Sequence, residues 1–161
     1  MTKEQADLTK KKLNLTITTP RGVKFVEEAD TVTMRCIDGD LGILPGHQAT
    51  STILGDGILK IINNGVEKLL ALFGGVVNID DTNIEVYSTI AQLPEEIDLE
   101  RAKRDREEAE AAMKGVVSDT QLKRAQAMMR RSLVRIEVNL HLEDTEYFDV
   151  EDEDDEDKNN K

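Results

Sequence analysis

Ile97-Asp98-Leu99-Glu100-Arg101-Ala102-Lys103 is the stretch at which the character of the chain changes. Before it, short apolar runs are separated by turn residues, which is typical of β-strands. After it, apolar residues recur at spacings of three and four, which is typical of helices. A carboxylate and an arginine three residues apart at such a joint suit a hinge, a nucleotide site or a plain linker.

Composition divides the chain into four segments around this joint. The two ends are charged and carry no periodic apolar pattern, whereas the middle carries strand patterns and then helix patterns. We predict a flexible extension over residues 1–12, a β-sandwich domain over 13–96, a helical hairpin over 97–142 and a disordered acidic tail over 143–161.

The net charge of −12 over 161 residues is concentrated near the C-terminus. Eleven acids lie between Glu143 and Asp157 and two lysines follow them, so the rest of the chain carries only about −3. A nucleic-acid-binding domain would present a basic face instead. We therefore expect no nucleic-acid partner.

Membrane and secretion signals are missing from the sequence. No apolar run approaches the ~20 residues that a membrane-spanning helix needs, and the polar N-terminus lacks the apolar centre of a signal peptide. Cys36 is the single cysteine, and its place in an alternating strand indicates a core residue rather than a reactive thiol. We expect a soluble intracellular chain that reaches a membrane only through a partner.

Strand signals follow one another at intervals of about 8–12 residues through the first part of the chain. Leu13 to Ile17 alternates apolar and polar residues, and the pattern returns from Thr31 to Ile37. Asn63-Asn64-Gly65 is a strong hairpin signal, because Asn and Gly tolerate the positive φ angles of tight turns. No strand–helix–strand alternation is present, so we predict an antiparallel sandwich or flattened barrel.

Further apolar runs predict short strands on both sides of this hairpin. They are Ser51–Leu54, Ile58–Ile62, Val66–Phe73, Val76–Ile79 and Ile84–Ile90. Gly74-Gly75 separates two of them and permits a bulge or a close approach of backbones.

A loop of glycines and one proline runs from Gly42 to His47. Gly42, Pro45 and Gly46 fix its backbone, and the apolar Ile43 and Leu44 lie between them. A rigid, exposed loop suits a protein interface. We therefore expect His47 to be a structural or interface histidine rather than a metal ligand.

Two helices joined by a short loop are predicted after Pro94. Asp98 is placed to cap the first helix and Gly115 to stop it, and Ser118 with Gln121 forms a capping box for the second. The first helix is rich in alanine, and the second carries one apolar stripe: Leu122, Ala125, Met129, Leu133, Ile136 and Leu140. So narrow a stripe contributes only a few kcal/mol of packing, and the hairpin is able to adopt a second arrangement.

No group of residues has the pattern of a catalytic site. His47 and His141 lie in different predicted elements, and no Lys-Ser/Thr follows Gly74-Gly75 as in a phosphate loop. Asp38 and Asp40 lack the further ligands of a calcium loop. We expect neither enzyme activity nor a metal site.

Three arginines share one face of the second predicted helix, at positions 124, 131 and 135. An ordered row of arginines suits phosphates or an acidic partner surface. The alternative is a solvated face paired with acids such as Glu107, each pair contributing well under ~1 kcal/mol. The spacing alone slightly favours the solvated face.

Four segments of the chain carry a resemblance to a known family. They are Asp38-Gly-Asp-Leu-Gly-Ile-Leu-Pro-Gly-His47, Leu72-Phe-Gly-Gly-Val-Val77, Ile97-Asp-Leu-Glu-Arg-Ala102, and Lys123-Arg-Ala followed by Arg131 and Arg135. In order and spacing they resemble the epsilon subunits of bacterial F-type ATP synthases, over residues 13–142. The resemblance implies a ten-stranded β-sandwich followed by a two-helix hairpin, which agrees with the patterns above.

The resemblance also implies a non-catalytic rotor subunit, peripheral to the cell membrane on its cytoplasmic side. The sandwich would bind the gamma subunit and the ring of c subunits, and would help to couple proton flow to ATP synthesis. The family's ring-facing loop corresponds to Asp40, Gly42, Pro45, Gly46 and His47.

The hairpin would act as a switch in such a subunit. Folded on the sandwich, it would permit turnover. Extended along gamma toward the alpha/beta catalytic hexamer, it would block ATP hydrolysis. The resemblance implies that Arg124, Arg131 and Arg135 then face the hexamer.

Some family members bind a regulatory ATP in the folded hairpin, although no cofactor is required. The matching positions are Ile97, Asp98, Arg101, Ala102, Arg131 and Arg135. Gln92 stands where the family site has an acid, and this departure weakens the expected binding.

Two other functions compete with the rotor subunit. One is a free-standing nucleotide-sensing module of the same architecture, which would form no stable complex with a coiled-coil stalk protein. The other is a hydrolase or metalloenzyme, which would turn over nucleotide on its own.

Overall fold

The computed structural model describes residues 11–115 and 118–156, with side chains described as far as residue 142. Within these residues it contains eight strands, one 3₁₀ turn (Pro94–Glu96) and two helices. The strands are β1 (Leu13–Thr19), β2 (Gly22–Ala29), β3 (Thr31–Cys36), β4 (Gly39–Ile43), β5 (His47–Asn63), β6 (Val66–Asp81), β7 (Asn83–Tyr87) and β8 (Ile90–Gln92). The helices are α1 (Leu99–Lys114) and α2 (Asp119–Glu156).

The strands form one sheet in the order β2-β1-β7-β6-β5-β3-β4, with β8 beside β6. The predicted antiparallel pairing holds for every described pair except β1 with β7, which run parallel. The alternation of apolar residues assigns faces but not strand direction. The parallel pair joins two segments that are distant in sequence, which no turn signal could have revealed.

The β core is formed by one face of each strand. Leu13, Leu15 and Ile17 are completely buried, as their alternation predicted. Cys36 belongs to the same cluster, and burial raises the pKa of its thiol, with the Asp38 and Asp40 carboxylates adding to the effect. A thiol with a raised pKa is a poor nucleophile, which confirms Cys36 as a core residue.

Two strands are longer than predicted. β5 has 17 residues and β6 has 16, and each joins two runs that were predicted as separate strands. Their connection is the predicted hairpin turn, with φ of 52° at Asn64 and 79° at Gly65. Counting each long strand as two recovers the ten strands expected from the resemblance.

Gly75 lies where β6 passes very close to the chain that follows β7. A Cβ atom at Gly75 would be 2.1 Å from the Tyr87 carbonyl oxygen, and φ is +115°. The Ser88 hydroxyl, on the adjoining segment, donates a hydrogen bond to the Gly74 carbonyl at 2.7 Å. The predicted close approach of backbones is therefore confirmed.

The predicted caps begin and end the helices. The Asp98 carboxylate accepts from the Arg101 backbone N–H at 2.9 Å, and the Ser118 hydroxyl from that of Gln121 at 3.3 Å. Gly115 is the C-cap of α1, but its φ of −102° is open to other residues, so this helix end does not depend on glycine.

Helix α2 continues to Glu156, whereas the hairpin was predicted to end at Leu142. The reason is that no glycine or proline follows Gly115, and the acids beyond residue 142 include many glutamates, which favour helix. The remainder of the predicted disordered tail, residues 157–161, lies outside the described residues, as do positions 1–10 of the predicted extension.

The apolar stripe predicted for α2 is only partly its buried face. Ala125, Ser132 and Val138 are buried, whereas Leu133 is 48% exposed and Leu140 is 42% exposed. The buried residues of α1 are Ala102 and Ala109. Small residues on both helices allow close approach, so several larger side chains of α2 remain at the surface.

The chain divides into two compact units between Leu93 and Pro94, three residues before the predicted boundary. The 3₁₀ turn belongs to the helical unit, where the Asn139 side chain donates to the Pro94 carbonyl at 3.3 Å. Within the described residues, no helix is both long and apolar enough to cross a membrane.

Candidate functional site

A row of exposed apolar side chains crosses the outer face of the sheet. Ile53 on β5 lies opposite Val76 on β6, and Val76 lies opposite Tyr87 on β7. The backbone N–H of Ile37 donates to the Ile53 carbonyl at 3.1 Å, which places Ile37 at one end. These four side chains are between 44% and 60% exposed.

The row continues beyond Tyr87 onto the two edge strands on that side. Tyr87 pairs with Thr18 of β1, and Thr18 pairs with Val23 of β2, which is 65% exposed. Six neighbouring positions at about 4.8 Å spacing extend for about 24 Å. We call Ile37, Ile53, Val76, Tyr87, Thr18 and Val23 the apolar row. Contiguous exposed apolar surface of this kind marks a protein-binding site.

The apolar row was not predicted from the sequence. The available signal was a break in alternation, because Ile53-Leu54 and Val76-Val77 are apolar pairs inside strands. One member of each pair is buried, and the other must face outward. The lateral alignment of the outward members depends on the register of distant strands, which the sequence does not reveal.

The predicted interface loop is shorter in the structure. Asp40, Gly42 and Ile43 belong to β4, and Ile43 is completely buried, so only the segment from Leu44 to Gly46 is a turn. Leu44 is 61% exposed at its tip. Gly42 was mistaken for a loop residue because glycine is rare in strands.

The turn is held by backbone geometry that only glycine adopts readily. Gly46 has φ of +83°, and its N–H donates to the Asp81 carbonyl at 3.2 Å. His47 begins β5, with its ring Nδ1 2.7 Å from the Gln48 carbonyl oxygen. The turn thus presents an apolar tip between a proline and a histidine.

Asp40 is positioned by a neighbouring arginine. The Arg35 Nε lies 3.0 Å from the Asp40 carboxylate, and both side chains are about half exposed. The stem of Arg35 crosses Gly57, where a Cβ would lie 2.5 Å from the Arg35 Cβ. Gly57 therefore leaves the space that lets Arg35 reach Asp40.

The residues predicted to hold the adenine of ATP lie around the start of α1. Ile97 and Ala102 are buried, whereas Asp98 and Arg101 are exposed. Asp98 already accepts the capping hydrogen bond from the Arg101 N–H. The described geometry therefore gives the Asp98 carboxylate a structural role that is independent of any ligand.

The predicted phosphate-binding arginines lie along α2 at different distances from that helix start. The Asn139 side chain donates to the Pro94 carbonyl, so the middle of α2 lies beside the residues that precede the joint. Arg135 lies one turn from Asn139, about 6 Å along the axis, and Arg131 lies about 12 Å away. Both are half-buried, whereas Arg124 is exposed near the opposite end of the helix.

A surface pocket in the described part of the chain lies elsewhere. It has a volume of about 250 Å³ and is lined by Glu27, Ile61, Asn63, Asn64, Val66 and Lys68. None of the residues predicted to bind ATP lines it.

Two protein-domain families match the chain, one for each unit. That of the ATP synthase delta/epsilon chain β-sandwich domain matches residues 12–94, and that of its long α-helix domain matches residues 95–138. The chain belongs to the delta/epsilon family of ATP synthases. Residues 139–161 of this family member extend beyond both matches.

Curated relatives place the chain among the bacterial epsilon subunits. The ATP synthase epsilon chain of Herpetosiphon aurantiacus is 35% identical over 126 residues, which are 78% of this chain and 93% of the relative. That of Desulforudis audaxviator is 41% identical over 96 residues, which are 60% of this chain and 70% of the relative. The resemblance found in the sequence is thereby confirmed.

Chains in two solved ATP synthase structures share the fold of this chain. A chain of the Euglena gracilis mitochondrial ATP synthase, described as OSCP/F1/c-ring, has 25% identity and a TM-score of 0.69, covering 81% of this chain and 82% of its own length. A chain of the Tetrahymena thermophila enzyme, with 18% identity and a TM-score of 0.52, shares the fold. As an epsilon chain, the protein is a subunit of a membrane-associated ATP synthase complex.

Proposed function

We propose that this epsilon subunit is a non-catalytic part of the central stalk, which couples proton translocation through the c-ring to ATP synthesis and restrains ATP hydrolysis. The observation that carries the proposal is the apolar row on the outer face of the sandwich. A monomeric domain has little reason to align five large apolar side chains from four strands and one turn. The solved relatives described as central stalk and c-ring assemblies supply the class of partner.

The apolar row would bind the gamma subunit. Its length of about 24 Å is that of roughly four helical turns, which fits a helix or a coiled-coil segment lying across the strands. Burying an exposed valine or isoleucine contributes about 1 kcal/mol or more. Such a row would hold the sandwich on a rotating stalk without any charged contact.

The turn after β4 would face the c-ring, on the cytoplasmic side of the membrane. Its exposed Leu44, flanked by Pro45 and His47, offers an apolar tip, and Asp40 beside Arg35 adds one charge pair. The backbone bond from Gly46 to Asp81 keeps the turn rigid. Little chain entropy would then be lost on binding.

The hairpin would regulate hydrolysis by leaving its folded arrangement. Its buried residues are Ile97, Ala102, Ala109, Ala125, Ser132 and Val138, and most of them are small. Small side chains bury little apolar area, so separating α1 from α2 costs less than separating a leucine-rich pair. When the hairpin is extended, its arginines would face acidic segments of the alpha/beta hexamer; they are Arg124, Arg131 and Arg135.

A regulatory ATP would bind the folded hairpin. Ile97 and Ala102 would contact the adenine, Asp98 and Arg101 would lie at its edge, and Arg131 and Arg135 would hold the phosphates. The position of Arg135 one turn from the joint supports this arrangement. Arg131 lies about 12 Å from Asn139 along the axis of α2, and this distance fits an extended triphosphate better than a compact one.

The test of the row uses an ATP synthase rotor that lacks its own epsilon subunit. Ile53→Asp or Val76→Asp should weaken binding of the full chain at least tenfold, because a charge would be buried at the centre of the contact. Val66→Asp is the matched control, since Val66 is 56% exposed but lies outside the row. Equal binding by all three variants would refute the assigned surface.

The test of the hairpin measures ATP hydrolysis by a catalytic core lacking epsilon. We expect the full chain to inhibit and a chain ending before Ile97 to bind without inhibiting. If neither chain binds the stalk, the free-standing nucleotide sensor becomes the better proposal.

The test of the nucleotide site is a calorimetric titration of ATP into the isolated chain. Arg131→Ala should reduce the heat released, and Arg124→Ala should not, because Arg124 lies near the far end of α2. No heat at ATP concentrations up to the millimolar range would eliminate the site.

A further inference from the structure

Helix α2 carries four large apolar residues, and the spacing between them is the same whether it is read toward the N-terminus or toward the C-terminus. Met129, Leu133, Ile136 and Leu140 are separated by four, three and four positions. Leu133 is 48% exposed and Leu140 is 42% exposed, while Met129 and Ile136 are half-buried. We call these four residues the α2 stripe. It differs from the face of α2 that is buried through Ala125, Ser132 and Val138.

Spacings of four and three repeat every seven residues, as in the seam of a coiled coil. A seam that is symmetric about its centre matches a second copy of itself when the two helices run antiparallel. Met129 then lies opposite Leu140 of the second copy, and Leu133 lies opposite Ile136 of the second copy. All four apolar layers are filled in this register.

The charges beside the α2 stripe have the same symmetry. Arg130 and Glu137 are exposed and occupy equivalent positions, seven residues apart, on one flank of the seam. In the antiparallel register, Arg130 of each copy approaches Glu137 of the other. A two-fold interface repeats each contact, so two pairs of opposite charge form and no like charges meet at this flank.

We propose that two copies of this chain associate through antiparallel pairing of their α2 stripes. The second copy is the occupant that the observations favour, because both the apolar spacing and the flanking charges are complementary to themselves. An unrelated partner helix would need neither symmetry. The pairing is independent of the rotor contacts proposed for the sandwich, since it uses no residue of the apolar row.

The contact is short, so the dimer forms at high concentration. Four apolar layers bury less than a standard protein interface. Each chain carries a net charge of −12, and this repulsion weakens the dimer at low salt. About 0.15 M salt screens charges beyond about 8 Å and leaves the contact pairs in place.

Sedimentation equilibrium of the full chain tests the proposal. The wild type should show a monomer–dimer equilibrium, and Leu133→Ser should raise the dissociation constant at least tenfold. Val66→Ser is a matched control for loss of an exposed apolar side chain and should leave the constant unchanged. Circular dichroism checks that each variant keeps its helix content.

Charge reversal tests the register. Arg130→Glu and Glu137→Arg should each weaken the dimer several-fold, because each places like charges together twice. The double variant should recover the wild-type constant within about twofold. A wild-type chain that stays monomeric up to about 1 mM, or a double variant no better than the singles, overturns the proposal.

The apolar row of the sandwich is the rival surface for self-association. Ile53→Ser should leave the dissociation constant unchanged if the α2 stripe forms the dimer. If Ile53→Ser dissolves the dimer and Leu133→Ser does not, the row forms the contact and the proposal is wrong.

Discussion

Gly75 shows how one residue limits the separation of two strands. Two features exclude a side chain at Gly75. Its φ is +115°, which other residues rarely adopt, and a Cβ atom there would lie only 2.1 Å from the Tyr87 carbonyl oxygen. The Gly-Gly pair could be read from the sequence as a close approach. Which strand approaches could not, because Tyr87 and Ser88 are brought there by the pairing of β6 with β7 and β8.

Gly75→Ala should lower the free energy of unfolding by about 2–4 kcal/mol, because it combines backbone strain with a clash. Gly65→Ala is the matched control, with φ of +79° and open space around it, and should cost only about 1 kcal/mol. Urea unfolding followed by circular dichroism measures both. Similar losses in the two variants would mean that the strand relaxes away from Tyr87.

Asp30, between β2 and β3, makes stability depend on pH. A hydrogen bond from Lys12 lowers the pKa of its carboxyl below the usual 3.8, and the backbone N–H of Asn64 lowers it further. The Lys12 ammonium also contacts Asn63 at 2.8 Å and Asn64 at 2.9 Å. This cluster ties the start of β1 to the β5–β6 hairpin.

A carboxyl with a lowered pKa in the folded state stabilises that state above its unfolded pKa and loses the contribution as the carboxyl becomes protonated. We expect the wild type to lose stability as pH falls below about 4, and Asp30→Asn to lose less over the same range. Urea midpoints measured between pH 2 and 7 give the comparison. If the urea midpoints of the two proteins fell equally with pH, Asp30 would not be the source of the pH dependence.

Local signals predicted where helices and turns begin better than they predicted the lengths of strands and helices. The caps at Asp98 and Ser118 and the turn at Asn64 depend on nearby atoms, and the sequence identified all three. The joining of short runs into β5 and β6 depends on pairing with distant strands. The buried face of α2 was predicted correctly at Ala125 but misjudged further along, because the small residues of α1 pack against Ser132 instead of Leu133.

Asp98→Ala should destabilise the first turn of α1 by about 1 kcal/mol, because the Arg101 N–H loses its acceptor. Asp98→Asn should retain the cap, since asparagine is an equally good capping residue. Hydrogen exchange of residues 99–104 measures the effect. Equal protection in the alanine variant and the wild type would show that the cap contributes nothing.

The two units of the molecule differ in how they bury apolar surface. All 18 members of the main buried cluster lie between Leu13 and Ala91, within the first unit. The buried residues described in the helical unit are mostly small, three alanines and a serine beside Ile97 and Val138. The division at the joint was predictable from periodicity alone, whereas the docking surface on the first unit appeared only with the strand register.

A chain ending at Glu96 should therefore fold without the helices. We expect cooperative urea unfolding of this fragment, because its core residues are all retained. Circular dichroism would follow the unfolding transition, and the chemical-shift dispersion of a proton NMR spectrum would show whether the fragment is folded. A broad urea transition without a folded-state baseline would show that the β unit requires the hairpin in order to fold.

The uninterrupted helix from Asp119 to Glu156 constrains how this subunit is able to move. Its 38 residues make a rod about 57 Å long, and no glycine or proline inside it offers a hinge. Rotation at either end is therefore amplified along the whole rod. Asn139 lies beside Pro94, so about 26 Å of the rod extends past the joint, and a turn of about 10° there would move the tip at Glu156 by about 4–5 Å.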